Sequence, residues 1–179
     1  MTDTTSLPNE LILHVLQYSP PHTLWTSARL ASKQLRLCTE DVLRSNILPQ
    51  ISLSLTFSLG GGPHHRWYDV RATLAFCFSH LTSDKATATF KLSHVLPSQC
   101  HTQALDKWYR LRAENATHSL SAWRAELDGR TYSVPLQLVQ VCHEQDGEVS
   151  IDINWKAMLS RYFWEADRAA KRLRGTAAG

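Results

Sequence analysis

The spacing of apolar residues changes once along this chain, near Pro49, and that change restricts what it can fold into. Before Pro49 the apolar residues recur at helical intervals: Leu7, Leu11, Ile12, Val15 and Leu16 form one stripe. Pro8 suits the opening of that helix, where its missing N–H is no loss. Ser19-Pro20-Pro21 stops it, because a residue before proline is pushed out of the helical region. A second helix carries Leu24, Ala28 and Ala31, and Ser32 is placed to cap a third on which Leu35, Cys38 and Val42 share a face. After Pro49 the period becomes two. Ile51, Leu53, Leu55, Phe57 and Leu59 alternate with Ser52, Ser54, Thr56 and Ser58, the pattern of a half-buried strand.

The strand pattern continues. Gly60-Gly61-Gly62-Pro63 interrupts it, with His64, His65 and Arg66 expected in the same loop. Val70, Ala72, Leu74, Phe76 and Phe78 alternate next, then Ala86, Ala88, Phe90 and Leu92. The segment from Ser98 to Ala113 reads as helical at its centre. Asp128-Gly129 and Asp146-Gly147 each sit between two alternating runs, the chemistry of tight hairpins. The chain closes on an amphipathic helix. Trp155, Met158, Leu159, Tyr162, Phe163, Ala166, Ala170 and Leu173 line one side of it. Trp164 falls on the other, where a tryptophan is either covered by another segment or held for a partner. The expected class is α+β: a helical module over residues 6–48, then a β-rich domain over residues 49–175. That domain is an antiparallel sheet of about five to seven strands closed by the C-terminal helix.

Composition bears on function mainly by exclusion. The formal charge is +3, from 19 basic and 16 acidic side chains, too small an excess to argue for nucleic acid. Arg66-Trp67-Tyr68-Asp69 and Lys107-Trp108-Tyr109-Arg110 set aromatics beside charges, but at this net charge they read as ring anchors with the charge in water. The opening residues have no basic stretch followed by an apolar run, so they are not expected to act as a signal peptide. No run is long and apolar enough to span a bilayer. Cys38, Cys77, Cys100 and Cys142 are widely spaced in apolar surroundings and read as reduced, buried thiols of a cytoplasmic or nuclear protein. Cys100-His101 and Cys142-His143 raise the question of zinc. Adjacent residues on a strand point to opposite faces, so no metal or other cofactor is expected. Neither a nucleophile elbow, nor a His-Glu-x-x-His helix, nor a phosphate-cradling loop is present, and no enzymatic activity is expected.

The helical module resembles the F-box family. Leu7-Pro8-Asn9-Glu10 matches the family's opening Leu-Pro-x-Glu, Val15-Leu16-Gln17-Tyr18 the end of its first helix, and Leu24 the leucine that opens its second. Ala28-Arg29-Leu30-Ala31-Ser32-Lys33 is similar to its run toward a Ser-Lys or Ser-Arg step. The match covers under a third of the chain, and its style is similar to that of short F-box proteins of filamentous fungi. Ser19, Thr23, Ala31 and Leu35 depart from the family pattern, and together they lower the expected adaptor affinity.

The resemblance implies docking to a Skp-type adaptor of a cullin–RING ubiquitin ligase. Leu7, Pro8, Glu10, Leu11, Val15, Leu16, Tyr18, Leu24 and Leu30 would then form the adaptor-binding set. The β-rich domain would capture an unidentified protein substrate, with Trp164, His64, His65 and Arg66 as candidate contacts. An interaction or ligand-binding protein with the same helical cap and no ligase role is the alternative. The physics is compatible with docking: a helical triple this short seldom buries its own apolar surface.

Overall fold

In the computed structural model the described residues are 7–62, 65–113, 123–134, 139–145 and 148–176. The side chains of residues 61, 62, 65–68, 112, 113, 139–145, 175 and 176 are outside the description. The chain divides into two compact units, Met1–Gln50 and Ile51–Gly179.

The first unit holds three helical segments. Helix α1, Asn9–Gln17, starts directly after Pro8, whose carbonyl accepts from the N–H groups of Leu11 and Ile12. Helix α2 covers residues 21–31 and begins at Pro21; its middle, Leu24–Ala28, is wound more widely, as a π-helix. Ser32 is fully extended and ends it. The Ser32 hydroxyl accepts from the Leu35 N–H at 3.1 Å, capping helix α3, Lys33–Val42. Such a cap stabilises a helix by about 1 kcal/mol. The helix then runs on through a π-helical stretch, Leu43–Ile47, and a 3₁₀ turn, Leu48–Gln50.

Leu16, Leu24, Trp25, Cys38, Val42, Leu43, Ile47 and Leu48 are buried. Polar ties fix how the helices meet. Gln34 Nε2 on α3 donates to the Leu7 carbonyl and to Asn9 Oδ1 at the start of α1. Arg29 on α2 pairs with the nearly buried Glu40 on α3 at 3.2 Å and lies over the Trp25 ring.

The second unit is a seven-stranded antiparallel sheet in the order β5-β4-β1-β2-β3-β7-β6. Its strands are β1 Ser52–Gly62, β2 His65–Leu81, β3 Thr87–Leu96, β4 Trp123–Leu127, β5 Arg130–Val134, β6 Val139–Gln145 and β7 Glu148–Asn154. The alternation read from the sequence sets the register. Leu53 opposes Phe76, Leu55 opposes Leu74, and Phe57 opposes Ala72, all six buried on one face. Ala125, Phe90, Ile151, Ala88 and Ile153 extend that face through the neighbouring strands. Seryl and threonyl side chains of β1 take the other face, where the Thr56 and Thr73 hydroxyls bond at 2.9 Å.

The β1–β2 connection differs from expectation. The ladder continues to Gly62 opposite His65, so His65 and Arg66 begin β2 instead of lying in a loop. Gly60, at φ +91°, supplies the irregularity that lets the ladder run on past Ser58. The β4–β5 hairpin turns on Asp128 and Gly129, both at positive φ, as a tight turn between twisted strands requires. Gln145 opposes Glu148 in the β6–β7 pair, while Asp146 and Gly147 lie outside the described residues.

Two helices cover the apolar face of the sheet. Helix α4, His101–Ala113, inserts Trp108, whose ring meets Trp123 edge-on; Trp123 in turn contacts Phe76. Trp108 is 1% exposed, in keeping with the anchoring reading of its motif. Helix α5, Trp155–Thr176, buries Trp155, Met158, Leu159, Tyr162 and Phe163. Burial of each such side chain stabilises by about 1.5–3 kcal/mol. Trp155 Nε1 donates to the Lys85 carbonyl, and the Tyr162 hydroxyl lies within hydrogen-bond distance of the Leu127 and Arg130 carbonyls of the β4–β5 hairpin. Those contacts carry α5 across the sheet, from the end of β7 to the opposite edge. Burial pushes the Tyr162 phenol up to about 12.

The apolar stripe of α5 does not stay covered along its whole length. Ala170 is exposed and Leu173 is 72% exposed, because a helix of 22 residues is about 33 Å long and outruns the sheet. Two cysteines also depart from expectation. Cys77 is exposed and Cys100 half-buried, while Cys38 is buried. Cys77 directly follows Phe76 on β2 and so points to the polar face. No helix among the described residues is long and apolar enough to cross a membrane.

Candidate docking surfaces

Helix α1 separates its apolar residues into two sides. Leu16 points into the helical unit. Leu7, Leu11, Val15 and Tyr18 follow one another at intervals of four, four and three along the outer side. All four are exposed, at 63, 54, 67 and 80%. The row runs about 16 Å along the helix. His14 meets Tyr18 edge-on at its end, and Pro8 and Glu10 are exposed beside it. Leu30 on α2 is 68% exposed.

Two residues of the expected adaptor-binding set are corrected by burial. Leu16 is 6% exposed and Leu24 1%, so both hold the helices together and neither offers surface to a partner. One exposed residue was missed. Leu37 on α3 is 57% exposed. The signal was present, since Leu35, Cys38 and Val42 define the inner face of α3 and Leu37 sits about 100° from Cys38.

A second surface lies on α5. Trp164 is 46% exposed. The guanidinium carbon of Arg161, one turn before it, lies 4.2 Å from the ring centroid, and that of Arg168, one turn after, lies 4.6 Å away. Arg161 also pairs with Glu165 at 2.7 Å. Each exposed cation–π contact is worth about 0.5–1 kcal/mol. His64 lies outside the described residues, as do the side chains of His65 and Arg66, so of the expected substrate contacts Trp164 alone has a described environment.

A third feature is a polar depression on the polar face of the sheet, lined by His80, Thr82, Thr89, Lys91, Glu148, Ser150 and Asp152. The β3–β7 register sets Thr89 opposite Asp152, and the Thr89 hydroxyl donates to the Asp152 carboxylate at 2.7 Å. Lys91 pairs with Glu148 at 2.6 Å. Among the described residues no group of three or more His, Cys, Asp or Glu could hold a metal ion. Cys142 and His143 are on β6, but their side chains lie outside the description.

No family model matches this chain, and no curated protein and no solved structure matches it either.

Proposed function

We propose that the chain is a non-catalytic adaptor. Its helical unit would dock on a Skp-type adaptor of a cullin–RING ubiquitin ligase, and its sheet unit would present a protein substrate. The observation that carries this reading is the outer row of α1. Leu7, Leu11, Val15 and Tyr18 are exposed together, and each belongs to the segment whose motif resembles an F-box. Large apolar side chains aligned on one helix face cost solubility and are the usual mark of a partner surface. Leu30, also exposed, belongs to the same resemblance. Glu10 and Pro8 complete the set that stays available, and the ligase role would place the protein in the cytoplasm or nucleus.

The test is capture of a purified Skp-type adaptor by the full-length chain. Wild type should retain it at micromolar concentration. The double variant Leu7→Ala, Pro8→Ala should lose it while its circular dichroism spectrum is unchanged. A wild-type chain that never binds the adaptor would leave the helical unit an interaction module without a ligase role.

A further inference from the structure

The outer side of α5 carries the chain's positive charge. The helix holds six basic side chains, Lys156, Arg161, Arg168, Lys171, Arg172 and Arg174, against two acidic ones, Glu165 and Asp167. The whole chain has 19 basic and 16 acidic residues, so everything outside α5 is slightly acidic, with 13 against 14. The charge is also aligned. Arg161, Trp164, Arg168 and Lys171 follow at intervals of three, four and three, which stacks them on one side of the helix over about 15 Å. That side is opposite the stripe that buries Trp155, Met158, Leu159, Tyr162 and Phe163. The Trp164 ring stands in the row, half-exposed, with guanidinium groups at 4.2 and 4.6 Å from its centroid.

We propose that this row is a docking strip for an acidic segment of a partner protein. The exposed ring offers the apolar anchor and the arginines flank it with charge, the combination most enriched at the centres of protein interfaces. Arginine suits carboxylates, because its planar fork can bond both oxygens at once. Stacking on the ring already fixes part of the arginine side chains, so less freedom is lost when a carboxylate arrives.

Two other anionic partners fit less well. A nucleic acid would stack its bases on the ring, yet guanidinium groups from the turns before and after already lie over it. A membrane would need the helix's apolar face, and between Trp155 and Phe163 that face is buried. As a surface for ligase substrates the row rests on the adaptor reading above; as a binding surface it stands without it.

The test uses the full chain and fluorescence anisotropy with a short labelled glutamate-rich peptide containing two leucines. The matching glutamine-rich peptide, a labelled single-stranded oligonucleotide and phosphatidylserine vesicles serve as competing probes. The glutamate peptide should bind best. Trp164→Ala and Arg168→Gln should each weaken it about tenfold while the chain stays folded, as read by its circular dichroism spectrum. Trp164→Phe should retain most of the binding, and Arg124→Gln, at an exposed position on β4, should change little. Tighter binding of the oligonucleotide or the vesicles would overturn the proposal. So would equal losses from Arg124→Gln and Arg168→Gln, or no binding of the glutamate peptide at all. Capture of the Skp-type adaptor by the Trp164→Ala variant, measured in parallel, separates failure of this strip from failure of the α1 row.

Discussion

Among the described residues the helical unit leaves six large apolar side chains exposed, Leu7, Leu11, Val15, Tyr18, Leu30 and Leu37, whereas the much longer sheet unit leaves three, Leu96, Trp164 and Leu173. The difference follows from how each unit can bury surface. A seven-stranded sheet offers one broad apolar face, and two helices suffice to close it. Three short helices have too little interior for their apolar residues, and whatever does not fit inside lies on the outside. The sheet unit therefore buries most of its large apolar side chains, and the helical unit leaves a larger share of its own exposed.

Stability measurements can break that contrast at its strongest point. Phe163→Ala removes a buried aromatic from the interface between α5 and the sheet and should cost about 3–5 kcal/mol in a urea melt. Its neighbour Trp164→Ala should cost about 1–2 kcal/mol, the loss of two exposed cation–π contacts. Equal costs would mean that both sides of α5 are covered.

Within the helical unit the same logic separates inner from outer leucines. Leu24→Ala should destabilise by about 2–5 kcal/mol, while Leu11→Ala and Val15→Ala should stay within about 0.5 kcal/mol. If the outer changes destabilise as much as Leu24→Ala, the α1 row is core and the contrast disappears.

Tyr162 tests the closure of the sheet by pH. Its phenol ordinarily titrates near 10 and is raised to about 12 in the fold, because burial disfavours the charged form and the neighbouring Tyr132 adds to it. A group raised by folding contributes stability that is fully present below its unfolded value and is lost as pH climbs toward the folded one. The melting temperature should therefore fall between about pH 10 and 12, and Tyr162→Phe should flatten that fall. An unchanged alkaline limb in the variant would show that the phenol does not report α5 docking.

The smallest effect concerns thiols. Cys77, exposed on the polar face, should react with Ellman's reagent first, Cys100 next and Cys38 last. Burial and the nearby Asp41 also raise the Cys38 thiol, which slows it further. Faster reaction of Cys38 would mean that the helical unit opens readily.

Much of this architecture was legible in local pattern. Period-two runs located β1, β2 and β3, Asp128-Gly129 located a hairpin, and Ser32 located a cap, because each depends on neighbours in sequence. Pairing between distant strands was not legible. Nothing local says that β1 lies between β4 and β2, or that β3 meets β7. The covered length of the α5 stripe was hidden for the same reason, since it depends on where the sheet ends.

The candidate sites divided similarly. Helical spacing alone places Leu11 and Leu16 in one stripe; only packing shows that Leu16 faces inward and Leu11 outward. Trp164 was visible by its angle on the helix, but the two arginines over its ring were not. His65 and Arg66 were expected in a loop because the glycines before them suggest a break, yet the ladder tolerates Gly60 at positive φ and continues.

The proposed docking role of the α1 row is tested most directly by titrating a purified Skp-type adaptor into the full-length chain by calorimetry. The comparison is between wild type, Val15→Asp on the outer row of α1, and Leu173→Asp at the exposed end of α5. Wild type and Leu173→Asp should bind alike at micromolar affinity, and Val15→Asp should show no heat of binding while melting at the wild-type temperature. Equal binding by all three, or none by wild type, would contradict the assignment of the α1 row as the docking face.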